Sequence, residues 1–205
     1  MSLIILEGSP SCGKTTLGKS YVAANPNAVF LEEWVDEKVL KEYLENMKDK
    51  AKDFQFYIQE ETVNRVKKAI ELVKSGKTVI LDRGLIGNEC FARVQHDAGL
   101  ISNEDMDTYS KTFSYGMIPG FADIKSKTIY MKATAEFCLE RIHSRAREGE
   151  STYDLDYLNR IIEAHNSLLK NCAIMWIRTN DDLTREGLLS FATLVKYLRL
   201  KLEKF

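Results

Sequence analysis

Five short apolar runs punctuate the chain, and each ends where the sequence turns polar or glycine-rich. Leu3-Ile4-Ile5-Leu6 stops just before Gly8, and Ala28-Val29-Phe30-Leu31 stops at Glu32. Thr78-Val79-Ile80-Leu81 follows the turn signal Ser75-Gly76-Lys77. Thr128-Ile129-Tyr130-Met131 and Ala173-Ile174-Met175-Trp176-Ile177 complete the set. Continuous apolar runs of this length, without alternation, predict strands buried on both faces. Helical spacing fills the gaps. Phe54, Ile58, Val66, Ile70 and Val73 share one face of a helix over 52–74. Leu155, Leu158, Ile161, Ile162, Leu168 and Leu169 define a second, with Asp154 as its cap. Leu188, Leu189, Ala192, Val195, Leu198 and Leu202 predict a C-terminal helix. Strands alternating with helices make an α/β fold: a parallel sheet with helices on both faces. In such sheets ligands bind beyond the carboxyl ends of the strands.

The chain has 205 residues with no internal repeat, low-complexity tract or linker, so residues 1–205 are expected to form a single domain. Its net charge of -1 lacks the basic surplus that a grip on a nucleic acid polymer needs. Cys12, Cys90, Cys138 and Cys172 show no paired spacing. They read as buried free thiols in a reducing, cytoplasmic setting. No apolar run approaches the roughly 20 residues that span a bilayer, so no membrane partner is expected. The first strand starts at Leu3, which leaves no room for a leader segment ahead of it.

The segment after the first strand is Gly8-Ser9-Pro10-Ser11-Cys12-Gly13-Lys14-Thr15, which fits G-x-x-x-x-G-K-[ST]. Glycines let the backbone curl so that successive N–H groups converge on phosphate oxygens. The helix that follows adds its positive N-terminal end. The candidate ATP and phosphate ligands are Gly8, Ser9, Ser11, Cys12, Gly13, Lys14, Thr15 and Thr16. Lys14 is expected to reach the β- and γ-phosphates, and the Thr15 hydroxyl to hold Mg²⁺.

Phosphoryl transfer to a hydroxyl also needs a proton acceptor and charge neutralisation. The second strand ends in Glu32-Glu33-Trp34, and either glutamate is placed to be that base. Asp82, at the end of the third strand, sits where a Mg²⁺-organising acid belongs, with Arg83 beside it. Arg141 and Arg145 are one helical turn apart, and Arg147 follows as the pattern breaks toward Gly149 and Glu150. Forked guanidiniums beside a flexible segment suit a lid over transferring phosphate. Gln55, amid Phe54, Phe56 and Tyr57, offers a donor and an acceptor side by side, as a nucleobase edge requires. The three histidines lack metal-ligand spacing, and His165 reads as structural.

On these motifs the chain resembles the deoxyribonucleoside kinases, P-loop enzymes that phosphorylate deoxynucleosides at the 5′-hydroxyl and supply DNA precursors by nucleotide salvage. The likeness covers roughly Leu3 to Leu169. It rests on the loop Gly8–Thr15, on the Phe-Gln-x-Tyr segment Phe54–Tyr57, and on the Arg-rich stretch Arg141–Glu150 with the helix after it. The resemblance implies a three-layer P-loop kinase fold with a five-stranded parallel sheet and an Arg-rich lid, usually as a homodimer. It implies Glu32 as general base, assisted by Arg83, and Gln55 as reader of the base. Tyr43 and Glu150 would hold the sugar 3′-hydroxyl, and Phe91 would stack on the base. Arg141, Arg145 and Arg147 would grip phosphates of ATP, and Thr15 with Asp82 would hold Mg²⁺. Trp34 would stand at the pocket. Many members have Glu-Arg-Ser where this chain has Asp82-Arg83-Gly84, and Glu-Pro where it has Glu32-Glu33.

Two other readings differ by specific residues. A thymidylate kinase needs an extra cation for its acceptor phosphate, typically an Arg just before the carboxylate after the second strand. Leu31 stands there. A nucleotide-binding switch would have no use for a second pocket built around Gln55 and Glu150.

Overall fold

The computed structural model describes residues 1–146, 153–178 and 191–196. Five strands, β1 (Leu3–Glu7), β2 (Ala28–Leu31), β3 (Thr78–Asp82), β4 (Ser126–Lys132) and β5 (Ala173–Trp176), form a sheet in the order β2-β3-β1-β4-β5. Every pairing is parallel. All five apolar runs became strands, with no end displaced by more than two residues.

Every residue of β1 is buried, and its side chains alternate between two cores. Ile4 and Leu6 join Ile80, Ile129 and Met131 on one face. That face is covered by Leu17 and Tyr21 of α1 (Lys14–Ala23), by Phe137, Cys138 and Ile142 of α6 (Ala135–Arg145), and by Leu158 of α7 (Leu155–Leu168). Phe191 and Val195 of the helical stretch 191–196 close the same core. Leu3 and Ile5 face the opposite way, onto Val66, Ala69, Ile70 and Val73 of α3 (Met47–Lys74). Burial on both faces is why the runs are unbroken by polar residues.

A third cluster lies off the sheet. Tyr43 of α2 (Glu37–Glu45), Ala51 of α3, Ala92 of α4 (Leu85–Asp97), and Tyr109 of α5 (Asn103–Thr112) pack together with Ile101 and Phe113. The stack so formed extends the layered sheet sideways and makes a wall beyond the carboxyl ends of β1, β2 and β3.

Several boundaries follow from capping chemistry. The Asp154 carboxylate accepts from the Tyr157 amide at 2.7 Å and starts α7, as its position predicted. Asp36, Ser102 and Thr134 cap α2, α5 and α6 in the same way. Helix α3 begins earlier than the apolar pattern suggests, at Met47. Of the expected C-terminal helix, 191–196 is helical, while Leu188, Leu189, Leu198 and Leu202 lie outside the described residues. Cys12, Cys90 and Cys138 are buried free thiols, and Cys172 is free and half-buried. No helix among the described residues is long and apolar enough to cross a membrane.

Register fixes what the fold brings together. Strand β1 lies between β3 and β4, and Leu6 pairs with Asp82. The loop leaving β1 therefore emerges beside Asp82 and Arg83, at the point where chain connections diverge to either side of the sheet.

Ile80 is fully buried in the core under α1 and α6. Replacing it with Ala is expected to cost about 2–5 kcal/mol of unfolding free energy, measured by urea denaturation. A loss below about 1 kcal/mol would mean the sheet is not packed as described.

Candidate active site

The loop between β1 and α1 closes around its own lysine. Lys14 is buried, and its ammonium donates to the carbonyls of Gly8 at 3.1 Å and Ser9 at 2.9 Å. Gly13, the N-cap of α1, has φ 103°, a left-handed conformation that suits glycine. No side chain caps this helix, so its first N–H groups point to the mouth of the loop with the positive end of the helix dipole. That is an anion site by construction. The Cys12 side chain lies in the core, where its Sγ accepts a weak hydrogen bond from Lys14 at 3.7 Å.

Thr15 and Asp82 meet beside the loop. The Thr15 hydroxyl donates to Asp82 Oδ2 at 2.5 Å. Asp82 Oδ1 is buried with no hydrogen-bond partner among the described residues. Burial raises the pKa of Asp82, against the pull of Lys14. A hydroxyl beside a carboxylate with an unsatisfied oxygen is a donor set that fits a Mg²⁺ ion carried in with ATP.

Arg83 is the hub of the site. It is 5% exposed and has a left-handed backbone, φ 59°. Its Nε donates to both oxygens of Glu33, at 2.9 and 3.1 Å, and its Nη1 to the Gly8 carbonyl at 3.2 Å. The guanidinium carbon sits 4.7 Å from the centre of the Phe91 ring. Burial disfavours the charge on Arg83, but Glu33, Glu7 and Asp82 outweigh it and its pKa is raised. Burial likewise raises Glu33, yet Arg83, Lys14 and Arg65 prevail and its pKa is lowered. Glu33 is therefore an ionised, proton-accepting carboxylate at neutral pH.

Behind Arg83 lies Glu7, the last residue of β1, completely buried. Its Oε1 accepts from the Gly84 amide at 3.2 Å, and Oε2 is unpartnered among the described residues. Two glycines make room for it. A Cβ on Gly87 would come within 2.0 Å of Glu7 Oε2. A Cβ on Gly84 would meet the Tyr115 hydroxyl at 2.1 Å and Glu7 Oε1 at 2.9 Å. Gly84, which stands where Ser is frequent in the family it resembles, is thus dictated by space.

These elements open into a cavity of about 490 Å³. The loop, Glu32, Glu33, Asp82, Arg83, Arg141 and Arg145 line one end. Arg141 Nε donates to the Ser11 carbonyl at 2.9 Å, which ties α6 to the phosphate loop. Gln55, Tyr43, Phe54, Ile58, Asn88, Phe91, Tyr153 and Tyr157 line the other end. Tyr43 stacks on Phe54, with ring centres 4.1 Å apart, and its hydroxyl accepts from Gln95 at 2.5 Å. The Gln55 amide is nearly buried and takes no hydrogen bond from any described residue. A phosphate-binding end with a carboxylate next to it, joined to an aromatic slot holding one uncommitted amide, suits transfer from a nucleotide to a nucleoside.

A family model described as deoxynucleoside kinase matches residues 4–192. The chain belongs to the deoxynucleoside kinase family. It is an ATP-using kinase that phosphorylates deoxynucleosides. A fowlpox virus protein described as a probable deoxycytidine kinase is 30% identical over 171 residues, covering 81% of this chain and 71% of that one. A deoxyadenosine kinase of Dictyostelium discoideum is 25% identical over 168 residues, covering 82% of this chain and 66% of that one. The structure of a deoxyadenosine kinase from M. mycoides, holding the products dCMP and a flexible dCDP, superposes with TM-score 0.77 at 18% identity. That superposition covers 95% of this chain and 99% of the other, and it supports the fold.

Set against the expectations from sequence, this kinase brings Lys14, Thr15, Thr16, Glu32, Tyr43, Gln55, Asp82, Arg83, Phe91, Arg141 and Arg145 to one cavity. Arg147 and Glu150 lie outside the described residues. Glu32 lines the cavity but is half-exposed and paired with Lys19 at 2.8 Å, whereas its neighbour Glu33 holds Arg83. One expectation needs correction. Trp34 is 59% exposed and sits outside the main cavity. His165 is buried between Tyr130 and Phe91, with Nδ1 on the Ile161 carbonyl at 2.7 Å, in keeping with a structural role. Glu7 went unnoticed in the sequence, although a charged residue ending a fully apolar run was the available signal.

Burial, opposed by Arg83 and by the Gly87 and Gly84 amides, raises the Glu7 pKa from 4.5 to about 7. Between those values the unfolded chain has lost this proton and the folded chain keeps it, so the Glu7 contribution to stability falls as pH rises. Relative to the Glu7→Gln variant, the wild-type kinase is expected to lose roughly 3 kcal/mol between pH 4.5 and pH 8. Urea denaturation of both proteins across that range reads the difference. A constant difference would mean that folding leaves the Glu7 pKa unshifted.

Proposed function

We propose that this kinase transfers the γ-phosphoryl group of ATP to the 5′-hydroxyl of a deoxynucleoside, with Glu33 as the general base. The observation that carries the reading is the Glu33 carboxylate held on Arg83 between the phosphate loop and the aromatic slot. The acceptor deoxynucleoside lies in that slot, its base edge toward Gln55 and its ring against Phe91. Tyr43 borders the sugar. The 5′-hydroxyl then points to Glu33, which accepts its proton as the oxygen attacks the γ-phosphorus.

Lys14, Arg83 and the loop amides stabilise the charge that spreads over the equatorial oxygens. Arg141, tied to the loop at Ser11, and Arg145 line the cavity with it and neutralise the donor phosphates. Thr15 and Asp82 would hold a Mg²⁺ ion, which would supply charge neutralisation to the donor phosphates. The whole chain 1–205 is read as one domain working as a cytoplasmic homodimer, on the strength of the family likeness. Thymidylate kinase chemistry is not favoured, since Leu31 supplies no cation for an acceptor phosphate.

Glu33→Gln is expected to lower kcat about 10²–10⁴-fold while the KM for ATP stays within about threefold. Glu32→Gln is expected to change kcat less than about tenfold, since its partner Lys19 is solvent-exposed. Steady-state kinetics with deoxynucleosides measures both. The opposite ranking of the two variants would return the base to Glu32.

A further inference from the structure

Arg83 reaches its partners from a backbone conformation that its side chain disfavours. Its φ of 59° lies in the left-handed region, where glycine is at ease and a long side chain is not. Relaxed into the β or right-handed region, this residue would carry its guanidinium away from Glu33. The planes of the two flanking peptide groups set the conformation, so those two groups must be held.

The peptide after Arg83 is held by Glu7, whose Oε1 accepts from the Gly84 amide at 3.2 Å. The peptide before it is held at both poles. Its N–H, from Arg83, donates to the Leu6 carbonyl at 3.0 Å and so continues the contact with β1. Its carbonyl, from Asp82, lies past the pairing with β2, which ends at Leu31 opposite Leu81. Arg65 of α3 takes that carbonyl instead, donating from Nη1 at 2.6 Å.

Arg65 is itself aimed from within α3. Its Nη2 donates to Thr62 Oγ1 at 2.8 Å, one turn back along the helix. That direction is forced. Thr62 spends its one hydroxyl proton on the Ile58 carbonyl at 2.9 Å, so it can only accept from Arg65 and from Asn88. Two Nη groups on one planar fork therefore fix where Nη1 points, which a single ammonium would not do. Arg65 Nε is buried with no partner among the described residues. A side chain kept only to pack α3 would not strand a donor there, since an aliphatic residue would fill the space without that cost. Arg65 does not line the cavity, so it is not placed to touch substrate.

We propose that Arg65 is a positioning residue for phosphoryl transfer: its fork pins the Asp82–Arg83 peptide and so holds Arg83 in the left-handed conformation from which it meets Glu33 and the phosphate loop. This rests on the kinase reading above, in which Arg83 stabilises the charge of the transfer. Without the fork, the Asp82 carbonyl is free to rotate and Arg83 relaxes. The guanidinium then leaves the Glu33 carboxylate and the Gly8 carbonyl, although every group that touches substrate is still present in the chain.

The test is a double-mutant cycle on the full chain, with ATP·Mg²⁺ and whichever of the four natural deoxynucleosides it phosphorylates fastest. Arg83→Met is expected to lower kcat by at least about tenfold. Arg65→Met is expected to lower kcat about 10–100-fold, the scale of a small misplacement at the reacting centre. The KM for ATP should stay within about threefold, since Lys14 braces the phosphate loop from within. Added to Arg83→Met, the Arg65→Met change is expected to cost less than about threefold more, because the residue it acts through is gone.

A general structural effect would cost the same factor in both backgrounds. So would the charge of Arg65 acting on Glu33 across space, which is one of the influences that lower the Glu33 pKa. Losses of similar size in both backgrounds would therefore overturn the proposal, as would an Arg65→Met kcat within about threefold of wild type. If Arg65→Met does not fold, Arg65→Gln, too short to hold both Asp82 and Thr62, goes through the same cycle. Near-normal turnover in Arg83→Met would reject the role given to Arg83 in the kinase reading, and the proposal with it.

Discussion

A guanidinium buried at the carboxyl end of a parallel sheet must be answered on every side, and much of this site is the answer to Arg83. Removing such a charge from water costs several kcal/mol unless its donors are matched. Glu33 from the end of β2, the Gly8 carbonyl from the phosphate loop and the Phe91 face from α4 supply the match. Three separate elements are thereby fixed at one point. Glu7 adds the fourth constraint from below, holding the Gly84 amide next to the left-handed turn at Arg83. A backbone conformation unfavourable for a side chain of that size persists because the surroundings over-determine it.

Around this hub the carboxylates Glu7, Glu33 and Asp82 stand among the cations Lys14, Arg65 and Arg83, yet they do not behave alike. Burial dominates at Glu7 and Asp82 and raises both. At Glu33 the nearby cations win and the pKa falls. Environment, not residue type, shifts two of these acids upward and the third downward. Because these charges are set before any substrate arrives, little reorganisation is left for the moment of transfer.

The sheet and the phosphate loop were legible in the sequence because their signals are local. A strand buried on both faces must be apolar throughout, and a loop that wraps phosphate must carry its glycines at fixed spacing. The choice between Glu32 and Glu33 was not local. Successive residues leaving a strand point to opposite sides, and only the position of Arg83, fifty residues on, decides which one turns inward. Two adjacent glutamates look alike without that partner, and in the structure Glu33 is the one held on Arg83. Turning Glu33 inward turns its neighbour Trp34 out to solvent. The helices α2 and α5 were weakly written. Their buried faces contact other helices and not the sheet, so a few aromatics such as Tyr43 and Tyr109 suffice.

The same dependence on distant partners explains how the two ends of the cavity keep their spacing. Arg65 donates through Nη2 to Thr62 and through Nη1 to the Asp82 carbonyl at 2.6 Å. The chain of contacts from Asn88 through Thr62 and Arg65 therefore ends on the residue whose side chain receives Thr15. The Gln55 end and the phosphate-loop end are joined through side chains rooted on helices α3 and α4 and strand β3, not through loops. In-line transfer tolerates little error in the distance between acceptor hydroxyl and γ-phosphorus. That distance depends on the span from the Gln55 end of the cavity to the phosphate loop. A rigid strut between those two ends, made of hydrogen bonds whose directions are forced, is the arrangement that holds such a span constant while substrates come and go.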